Sequence, residues 1–384
     1  MKNNINEIKK LNKEFNKVVN ENRKQRSHIS ENNILKDYQN NTKKKIIRII
    51  TLIVFLFFFL LLSLSLGSSS FGAKESLQSL FFFFFPEISG TIAYNIIWSL
   101  RLPRVLMAIV AGIGLAASGL IMQSILHNPL ASPYTLGISS AASFGAALSI
   151  ILRSSFMGLL GNSLGYELPT IITSFFFAVL CILLIYYLSK RQKSSSETII
   201  LLGIAMMYLF SAGLSLLQYI GDPDELAELV YWMFGSLSRS NWSRLGITSL
   251  IIVIIIPVLY KYSWDFNALA ANDETAQSLG INVEKLRLKG LILASLMTAI
   301  ITSFLGPIAF IGLVAPHIGR MLIGGDHRFL LPISSLIGAI LLLLSDTVAR
   351  TILSPIIIPV GIITSFIGVP LFIHLMLKRR REFW

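Results

Sequence analysis

The chain has 384 residues and a mass of 42.6 kDa, and 54% of its residues are hydrophobic whereas only 14% are charged. Soluble domains carry about 25% charged residues, so a chain with a mean hydropathy of +0.69 cannot cover its apolar surface in water. The apolar residues gather in runs of membrane-spanning length. This pattern excludes a soluble enzyme and predicts an all-α polytopic membrane protein. The single cysteine, Cys181, lies inside such a run, which argues against a disulfide framework and a thiol-rich metal site.

Much of the formal net charge of +13 lies at the N terminus. Residues 1–45 contain twelve basic and five acidic side chains and are rich in Asn. This composition is typical of a solvated, mostly disordered cytoplasmic tail. Ile8, Leu11, Phe15 and Val18 also recur at helical spacing opposite lysines. A partly helical, basic amphipathic segment lying on anionic lipid is therefore a second interpretation.

The first predicted span runs from Ile46 to Leu66. The basic residues Lys43, Lys44, Lys45 and Arg48 at its start place the N terminus in the cytoplasm. Since about 20 residues cross the hydrocarbon core, further spans are predicted at 102–123, 133–152, 168–188, 199–219, 244–262, 288–305, 307–323, 331–350 and 359–377. Ten spans put both termini inside. The transmembrane domain then covers residues 46–378, and a basic C-terminal tail covers 379–384.

The charges of the connecting loops agree with this topology. The loops predicted to lie inside carry Lys190, Arg191, Lys193, Lys285, Arg287, Lys289, Lys378, Arg379, Arg380 and Arg381. The loops predicted to lie outside carry Glu75, Glu87, Glu167, Asp222, Asp224, Glu225 and Glu228. The eighth span is short and contains Pro307, Pro316, His317 and Arg320, which are tolerated at membrane depth only inside protein or beside water.

Charged side chains near the outer ends of two spans need an explanation. Arg101 and Arg104 lie three residues apart at a helix start, so they project from one face. Either an acidic partner receives them, or they reach out to lipid phosphate. Asp346 and Arg350 are four residues apart and are predicted to form an ion pair. The sequence shows no cluster of intramembrane carboxylates of the kind that an ion-coupled carrier needs.

The longest predicted inside loop, residues 263–289, contains a short predicted helix. Asn272 or Asp273 can cap it and Gly280 can end it. Ala276 and Leu279 are expected on its exposed faces. A short cytoplasmic helix with an apolar facet suits docking into a groove of another protein, although a plain connector is the alternative.

The sequence contains no Gly-x-x-x-x-Gly-Lys-Ser/Thr phosphate loop and no hydrolase or metalloprotease motif. The chain is therefore not expected to bind and hydrolyse ATP by that route, and it offers no candidate catalytic residues. If ATP hydrolysis drives transport here, a partner subunit must bind and hydrolyse the ATP.

Several short blocks, in order along the chain, resemble the iron–siderophore/cobalamin permease family of ABC importers. They are Arg101-Leu-Pro-Arg104, Ser118 to Gln123, Asn128 to Gly137, Asp273 to Gly280, Gly306 to His317, Asp326-His327-Arg328, Ser345 to Arg350, Ile358 to Gly361 and Gly368 to Pro370. The resemblance covers residues 45–378, and the tail of residues 1–45 lies outside it.

The resemblance implies a permease in the bacterial cytoplasmic membrane that works as a dimer, with itself or with a paralogue. It also implies two ATP-binding subunits that hold Mg-ATP, and an extracytoplasmic substrate-binding protein. This chain itself is expected to bind no cofactor and no nucleic acid. The implied cargo is an iron–siderophore complex, with haem or cobalamin as alternatives. An ion-coupled secondary carrier with Asp346 as its functional acid is the competing class, followed by a membrane-embedded sensor.

The resemblance also implies roles for particular residues. Arg101, Arg104 and Arg350 would receive acidic residues of the binding protein, and the Asp346–Arg350 pair would orient Arg350. The residues expected to contact the ATPase are Asn272, Asp273, Glu274, Ala276, Leu279 and Gly280. Ser195, Ser196 and Glu197 would belong to the cytoplasmic gate, where Glu197 departs from the small or polar residue expected. The substrate path would be lined by the fifth and tenth spans.

Overall fold

A computed structural model describes residues 31–66, 78, 92–152, 167–191 and 195–377. The chain divides into two units, residues 1–50 and 51–384. Residues 1–30 of the predicted tail, Glu75, Glu87, Lys193 and residues 378–384 lie outside the described residues.

The described parts of the chain form fourteen α-helices and no strand. They are α1 Glu31–Ser65, α2 Ile92–Ile96, α3 Leu102–Ile125, α4 Ile138–Ile151, α5 Leu168–Lys190, α6 Ser196–Ile220, α7 Pro223–Met233, α8 Trp242–Lys261, α9 Ser263–Ala271, α10 Asp273–Ser278, α11 Val283–Leu305, α12 Ile311–Ile323, α13 His327–Thr351 and α14 Val360–Leu377. A π-helical turn, Ile97–Arg101, joins α2 to α3, and a 3₁₀ turn, Leu237–Arg239, precedes α8. The all-helical prediction is confirmed.

Ten apolar helices lie where the ten spans were predicted. Seven of the described helices are long and apolar enough to cross a membrane, and three are shorter. One of the shorter helices is α4, whose 14 residues rise about 21 Å against a hydrocarbon core of about 30 Å. It begins five residues after the predicted start because residues 133–137 form turns that end at Gly137, where φ is +78°.

The first helix is longer than the predicted span. It begins at Glu31, so residues 31–45, which composition assigned to a largely disordered tail, continue the helix of the span. The reason is local: this segment holds no Pro or Gly, and a formed helix extends at little cost once it is nucleated. The described part of the tail is therefore a helical extension.

The eighth span shows how irregular backbone is accommodated. Helix α12 starts at Ile311, because residues 306–310 leave the helical conformation between α11 and α12. Gly306 has φ +77° and its Cα faces the carbonyl oxygen of Trp232 so closely that a Cβ would not fit. Gly306 and Ile308 are buried in protein. This is the condition that non-helical backbone requires at membrane depth.

The core of the second unit is built around α3. This helix packs against α11, α12 and α13, and α4 packs between α5 and α6. Small residues permit the close approach: Gly112 of α3 meets Gly338 of α13, and Gly119 meets Gly312 of α12, with no room for a Cβ at either contact. Lipid gives no hydrophobic drive between helices, so tight van der Waals packing of this kind holds them together.

Candidate functional site

Three charged side chains from two helices form one buried cluster near the predicted outer face. Arg104 of α3 donates from Nε and Nη2 to Asp346 Oδ1 of α13 at 2.9 and 2.8 Å. Arg350, one turn further along α13, donates from Nε to Asp346 Oδ2 at 3.0 Å. Asp346 is fully buried, and both arginines are less than 10% exposed. One carboxylate therefore pairs with two guanidinium groups, and the cluster keeps an excess of positive charge.

The same cluster holds the outer end of the first span. Arg350 Nη2 donates to the hydroxyl and the carbonyl oxygen of Ser63 at 2.7 and 3.1 Å. Arg101 Nη1 donates to the carbonyl oxygen of Leu64 at 3.0 Å. These carbonyls belong to the last turn of α1, where no intrahelical donor is left for them, and a cation is favoured there. The arginines thus satisfy the end of the first span.

This arrangement bears on the docking role that the resemblance implies. Arg101, Arg104 and Arg350 are 7%, 8% and 4% exposed among the described residues. An acidic residue of a binding protein would have to reach guanidinium groups that already face Asp346 or the end of α1. The acidic partner that the sequence required for Arg104 is therefore found within the chain.

A second polar group lies beside α7 and α8, with a cavity of about 150 Å³. Glu167 and Arg244 form an ion pair, and Arg244 Nη1 also donates to the carbonyl oxygen of Arg239. Burial lowers the pKa of Arg239, and Arg244 adds to this effect, while Glu167 and Glu228 oppose it. Two acids and two bases thus balance one another in this group.

At the opposite end of the bundle, the predicted short helix is present as α10. Asn272 is its N-cap and accepts a hydrogen bond from the backbone N–H of Thr275 at 2.6 Å. Gly280, with φ +81°, ends it: the N–H of Gly280 reaches Gln277 and that of Ile281 reaches Ala276, as in a Schellman motif. The predicted capping residues are thus confirmed.

Of the two residues that were predicted to be exposed on this helix, only one is exposed. Leu279 is 67% exposed, but Ala276 is fully buried. The prediction for Ala276 was wrong because α10 has only six residues and packs one side against α11. The exposed polar part of α10 consists of Glu274, Gln277 and Ser278.

Helix α9 was not predicted, and a side-chain clasp joins it to α13. Asn267 of α9 donates from Nδ2 to Asp326 Oδ1 at 3.0 Å, and its Oδ1 accepts from the backbone N–H of His327 at 2.7 Å. The carboxylate can only accept and the amide N–H can only donate, so these contacts fix the orientation of the Asn267 side chain. Phe266, the neighbouring residue, packs its ring against that of His327 at 5.9 Å.

The ring of His327 continues this network into α3. Its Nδ1 lies 2.8 Å from Asn267 Oδ1, and its Nε2 lies 2.6 Å from the hydroxyl of Ser124. Since Asn267 Oδ1 is an acceptor, Nδ1 is the donor in this contact, and the Ser124 hydroxyl beside Nε2 also donates to the carbonyl oxygen of Leu120 at 2.8 Å. His327 therefore links α9, α13 and the inner end of α3.

Asp326 remains ionised in this clasp. Burial by itself would raise its pKa, but hydrogen bonds from Arg328 and Asn267 outweigh burial and hold the pKa at about 2. Arg328 also lies over the ring of Trp264 with 4.0 Å between its Cζ and the ring centroid. Because the carboxyl loses its proton well below neutral pH, the clasp is intact throughout the physiological range.

Arg287 of α11 ties α10 to the end of α3. Its Nη2 lies 2.9 and 3.1 Å from the two carboxylate oxygens of Asp273, and its Nε donates to the carbonyl oxygen of Ile125 at 2.8 Å. Arg287 is 3% exposed, whereas the Asp273 side chain is 43% exposed. His127, just beyond α3, approaches the same carboxylate at 4.0 Å and contacts the carbonyl oxygen of Leu269 at 2.6 Å.

The residues implied as a gate stand at the start of α6. Ser195 is the N-cap and accepts from the backbone N–H of Thr198 at 3.2 Å. Ser196 is buried, with its hydroxyl 3.4 Å from the carbonyl oxygen of Ile125. Glu197 is exposed in the first turn. A negative charge is stabilised at the positive end of the helix dipole. The helix itself therefore explains why an acid, Glu197, stands at this position.

A cavity of about 710 Å³ lies between α4, α6 and α14. Its lining residues are Tyr134, Ser139, Ser140, Ser143, Ser211, Leu214, Met233, Phe234, Pro307, Ala309, Gly361, Ile362, Ser365, Phe366, Val369 and Pro370. None of these residues carries a charge, and hydroxyl groups are its main polar feature. Helices α6 and α14 are the fifth and tenth spans, which were expected to line a path. Among the described residues, no group of three His, Cys, Asp or Glu side chains could hold a metal ion.

Several of these contacts were missed by sequence reasoning. Arg104 and Asp346 are 242 residues apart, and Asn267 and His327 are 60 apart. The usable signal was that a charge within a span requires a partner. The sequence shows that Asp346 and Arg350 are four residues apart and can pair. Arg104, the second partner of Asp346, is brought to it only by the packing of α3 against α13.

The chain was compared with known proteins. The model of the FecCD transport family matches residues 54–378. A Methanocaldococcus jannaschii protein assigned as an ABC transporter permease is 44% identical over 89% of this chain and 97% of its own length. The hemin transport system permease protein HmuU of Yersinia pestis is 39% identical over 83% of this chain and 93% of its own length. Further relatives are named for molybdate, cobalamin and Fe(3+) dicitrate.

A solved structure agrees with these sequence matches. It is described as an inward-facing conformation of an ABC transporter assigned to the metal-chelate type. It has a TM-score of 0.74 and 32% sequence identity, covering 86% of this chain and 99% of the other. Members of the family are multi-pass subunits of the cytoplasmic membrane, and a separate subunit hydrolyses ATP. This chain therefore belongs to the FecCD transport family and is an ABC importer permease.

Proposed function

We propose that this permease moves an iron–siderophore complex into the cell, with Mg-ATP bound by two partner subunits and the cargo delivered by an extracytoplasmic binding protein. The observation that carries the proposal is the uncharged, hydroxyl-lined cavity between the fifth and tenth spans. A metal chelate neutralises much of its metal charge internally and presents a broad, partly apolar periphery. Such a cargo suits a wall of Ser hydroxyls and apolar side chains better than a bare ion does, because the wall offers no counter-charge.

Haem and cobalamin fit the same argument and are the second candidates. The hemin permease of Yersinia pestis supports haem, since it is 39% identical to this chain. A bare oxyanion is disfavoured, because a desolvated anion would meet no cationic side chain among the lining residues.

The competing secondary-carrier hypothesis required Asp346 as a proton-accepting acid. Asp346 instead accepts hydrogen bonds from both Arg104 and Arg350 and is fully buried. Both guanidinium groups hold the carboxylate in place by direct ion pairs, so Asp346 suits a fixed counter-charge. The geometry supports the importer.

The roles implied for individual residues belong to the same proposal. The segment formed by α9 and α10 is the contact with the ATPase, and exposed Trp264 and Leu279 offer it apolar surface. Ser195, Ser196 and Glu197 contribute to the cytoplasmic gate. Arg101, Arg104 and Arg350 serve binding-protein docking, which requires Arg101 and Arg350 to release the outer end of α1 and Arg104 to release Asp346.

The test is uptake in cells that lack the chromosomal copy of this chain. A panel of radio-iron siderophores, haemin and cobalamin is offered with the intact partner ATPase or with an ATPase whose Walker-B Glu is changed to Gln. We expect uptake of one siderophore class to depend on both this chain and the ATPase. Uptake of haemin or cobalamin instead of a siderophore would show that the proposed cargo is wrong and that the cargo is the compound taken up. Uptake that survives ATPase inactivation and collapses with the proton gradient contradicts the importer.

A further inference from the structure

One carbonyl group connects two regions to which the proposed function gives different tasks. The carbonyl oxygen of Ile125, in the last residue of α3, lies 2.8 Å from Arg287 Nε and 3.4 Å from the hydroxyl of Ser196. Arg287 also holds Asp273 of α10, the helix assigned to the ATPase contact. Ser196 lies in the first turn of α6, at the proposed gate. The path from α10 to α6 therefore passes through one guanidinium and one carbonyl.

The chemistry of this position requires an arginine. The end of α3 presents carbonyls without intrahelical donors and carries the negative end of the helix dipole, so it attracts a cation. Asp273 presents a carboxylate to a second nitrogen of the same guanidinium, Nη2. A planar guanidinium can donate to two acceptors at fixed positions at once, whereas an ammonium is a single point charge. Arg287 is 3% exposed, so its position is fixed by these partners rather than by solvent.

The outer partner of Arg287, Asp273, is more exposed than its inner partner, Ile125, and this difference suits transmission of movement from the surface into the bundle. The Asp273 side chain is 43% exposed on a six-residue helix at the surface, while Arg287 and Ile125 are buried in the bundle. A force applied to α10 from outside the chain reaches α11 at Arg287, and through the Arg287 side chain it reaches the end of α3. Burial means that α3 cannot leave Arg287 without exposing a charge to an apolar interior, which costs several kcal/mol.

We propose that Arg287 is a positioning residue through which α10 displaces the inner end of α3 and, with it, the gate at the start of α6. This inference rests on the proposed function, because it assigns the ATPase contact to α10 and the gate to α6. It adds the physical link between them. Asp273 is the outer partner of the link, and the carbonyl of Ile125 is its inner partner.

The first experiment measures coupling in the reconstituted complex of permease, ATP-binding subunits and binding protein. The variants are R287K, which keeps the charge but loses the fork, D273N, and the double variant. We expect R287K and D273N each to lower cargo uptake per ATP hydrolysed by about threefold to thirtyfold. The double variant should lose no more than either single variant, because all three break the same link. Basal ATP hydrolysis by the R287K complex should change less than twofold.

Lys285→Gln is the matched control. Lys285 lies two residues before Arg287 on the same helix, and it is exposed. Its replacement removes one positive charge from the same end of the bundle and should leave uptake per ATP unchanged. Additive losses in the double variant, or normal coupling in R287K, would overturn the proposal. Failure of both single variants to assemble with the ATPase would also overturn it, because Arg287 would then hold the fold rather than transmit movement.

The second experiment does not depend on the cargo. In a Cys181→Ser background, single cysteines replace exposed Gln277 on α10 or Glu197 on α6, and alkylation rates are measured with and without nucleotide in the full complex. With Arg287 present, nucleotide should change both rates. With R287K, only the rate at position 277 should change. A nucleotide response at position 197 that survives R287K refutes the link. If the response is lost but no chelate is taken up even by the wild-type complex, the proposed cargo fails while the link stands.

Discussion

At the scale of single residues, the carboxylate of Asp346 is the most consequential group that the structure reveals. It lies between Arg104 and Arg350 in a fully buried position. We predict that Asp346→Asn lowers stability by about 3–5 kcal/mol, because it leaves two guanidinium groups buried without a counter-charge. The measurement is thermal unfolding of the purified permease in one detergent, followed by size-exclusion chromatography.

Asp224→Asn is the control for this change. Asp224 is exposed in the first turn of α7, so removing its charge should cost only a few tenths of a kcal/mol through the helix dipole. If Asp346→Asn unfolds at the same temperature as Asp224→Asn, the cluster does not stabilise the fold. In that case the arginines would be available for docking without first losing an internal partner.

The sequence could predict only half of this cluster. A separation of four residues on one helix is visible in the sequence, and it led correctly from Asp346 to Arg350. The contact with Arg104 depends on how α3 and α13 pack, and no local pattern encodes it. The caps of α10, in contrast, could be predicted because they depend only on local contacts. Asn272 and Gly280 act on backbone groups only a few residues away, so their residue types were sufficient.

At the scale of elements, the clasp between α9 and α13 determines how firmly the cytoplasmic segment is held. We predict that Asn267→Ala releases α9, because Asp326 and the backbone N–H of His327 both lose a hydrogen-bond partner. Unsatisfied groups of this kind cost about 1–3 kcal/mol. Amide hydrogen exchange within residues 263–271 should therefore become about one to two orders of magnitude faster.

The control for the clasp is Gln277→Ala on the neighbouring helix α10. Gln277 is exposed, so its truncation should leave exchange within residues 263–271 unchanged. Equal exchange in Asn267→Ala and Gln277→Ala would show that the packing of Phe266 and Leu269, both buried, holds α9 without the clasp. Helix α9 could not be predicted from the sequence, because its nine residues have mixed polarity and no clear helical periodicity.

At the scale of the whole molecule, hydropathy was sufficient to locate the ten apolar helices in the described part of the chain, seven of them long enough to cross a membrane, because the bilayer fixes both length and polarity. It was insufficient for the arrangement of the spans. Gly112 and Gly119 are visible in the sequence of α3, but nothing in the sequence identifies α13 and α12 as the helices that they contact. Lipid and protein interior are equally apolar, so the pattern that orients a helix in a soluble protein is absent.

The contact between Gly112 of α3 and Gly338 of α13 tests how much of the fold depends on this close approach. A Cβ at position 338 would meet the backbone of Gly112 and the Cβ of Ala116, neither of which is a flexible side-chain end. Gly246 on α8 is the matched position, because a Cβ there meets nothing within 4 Å. Replacing Gly by Ala in a helix should stabilise by about 0.4–1 kcal/mol where there is room. The same replacement should destabilise by about 1–3 kcal/mol where the interface is overpacked.

We therefore predict opposite shifts for the two variants. Gly338→Ala should lower the unfolding temperature of the purified permease, and Gly246→Ala should leave it equal or raise it. Both changes add one methyl group within a helix, so their helix propensity gain is the same and the difference isolates the interface. Equal shifts would mean that α3 and α13 can separate slightly at no cost. Helix α13 carries the clasp at one end and Asp346 with Arg350 at the other. A loose contact with α3 would therefore let the two ends move independently, and a tight one makes α13 a rigid connection between the two faces of the membrane.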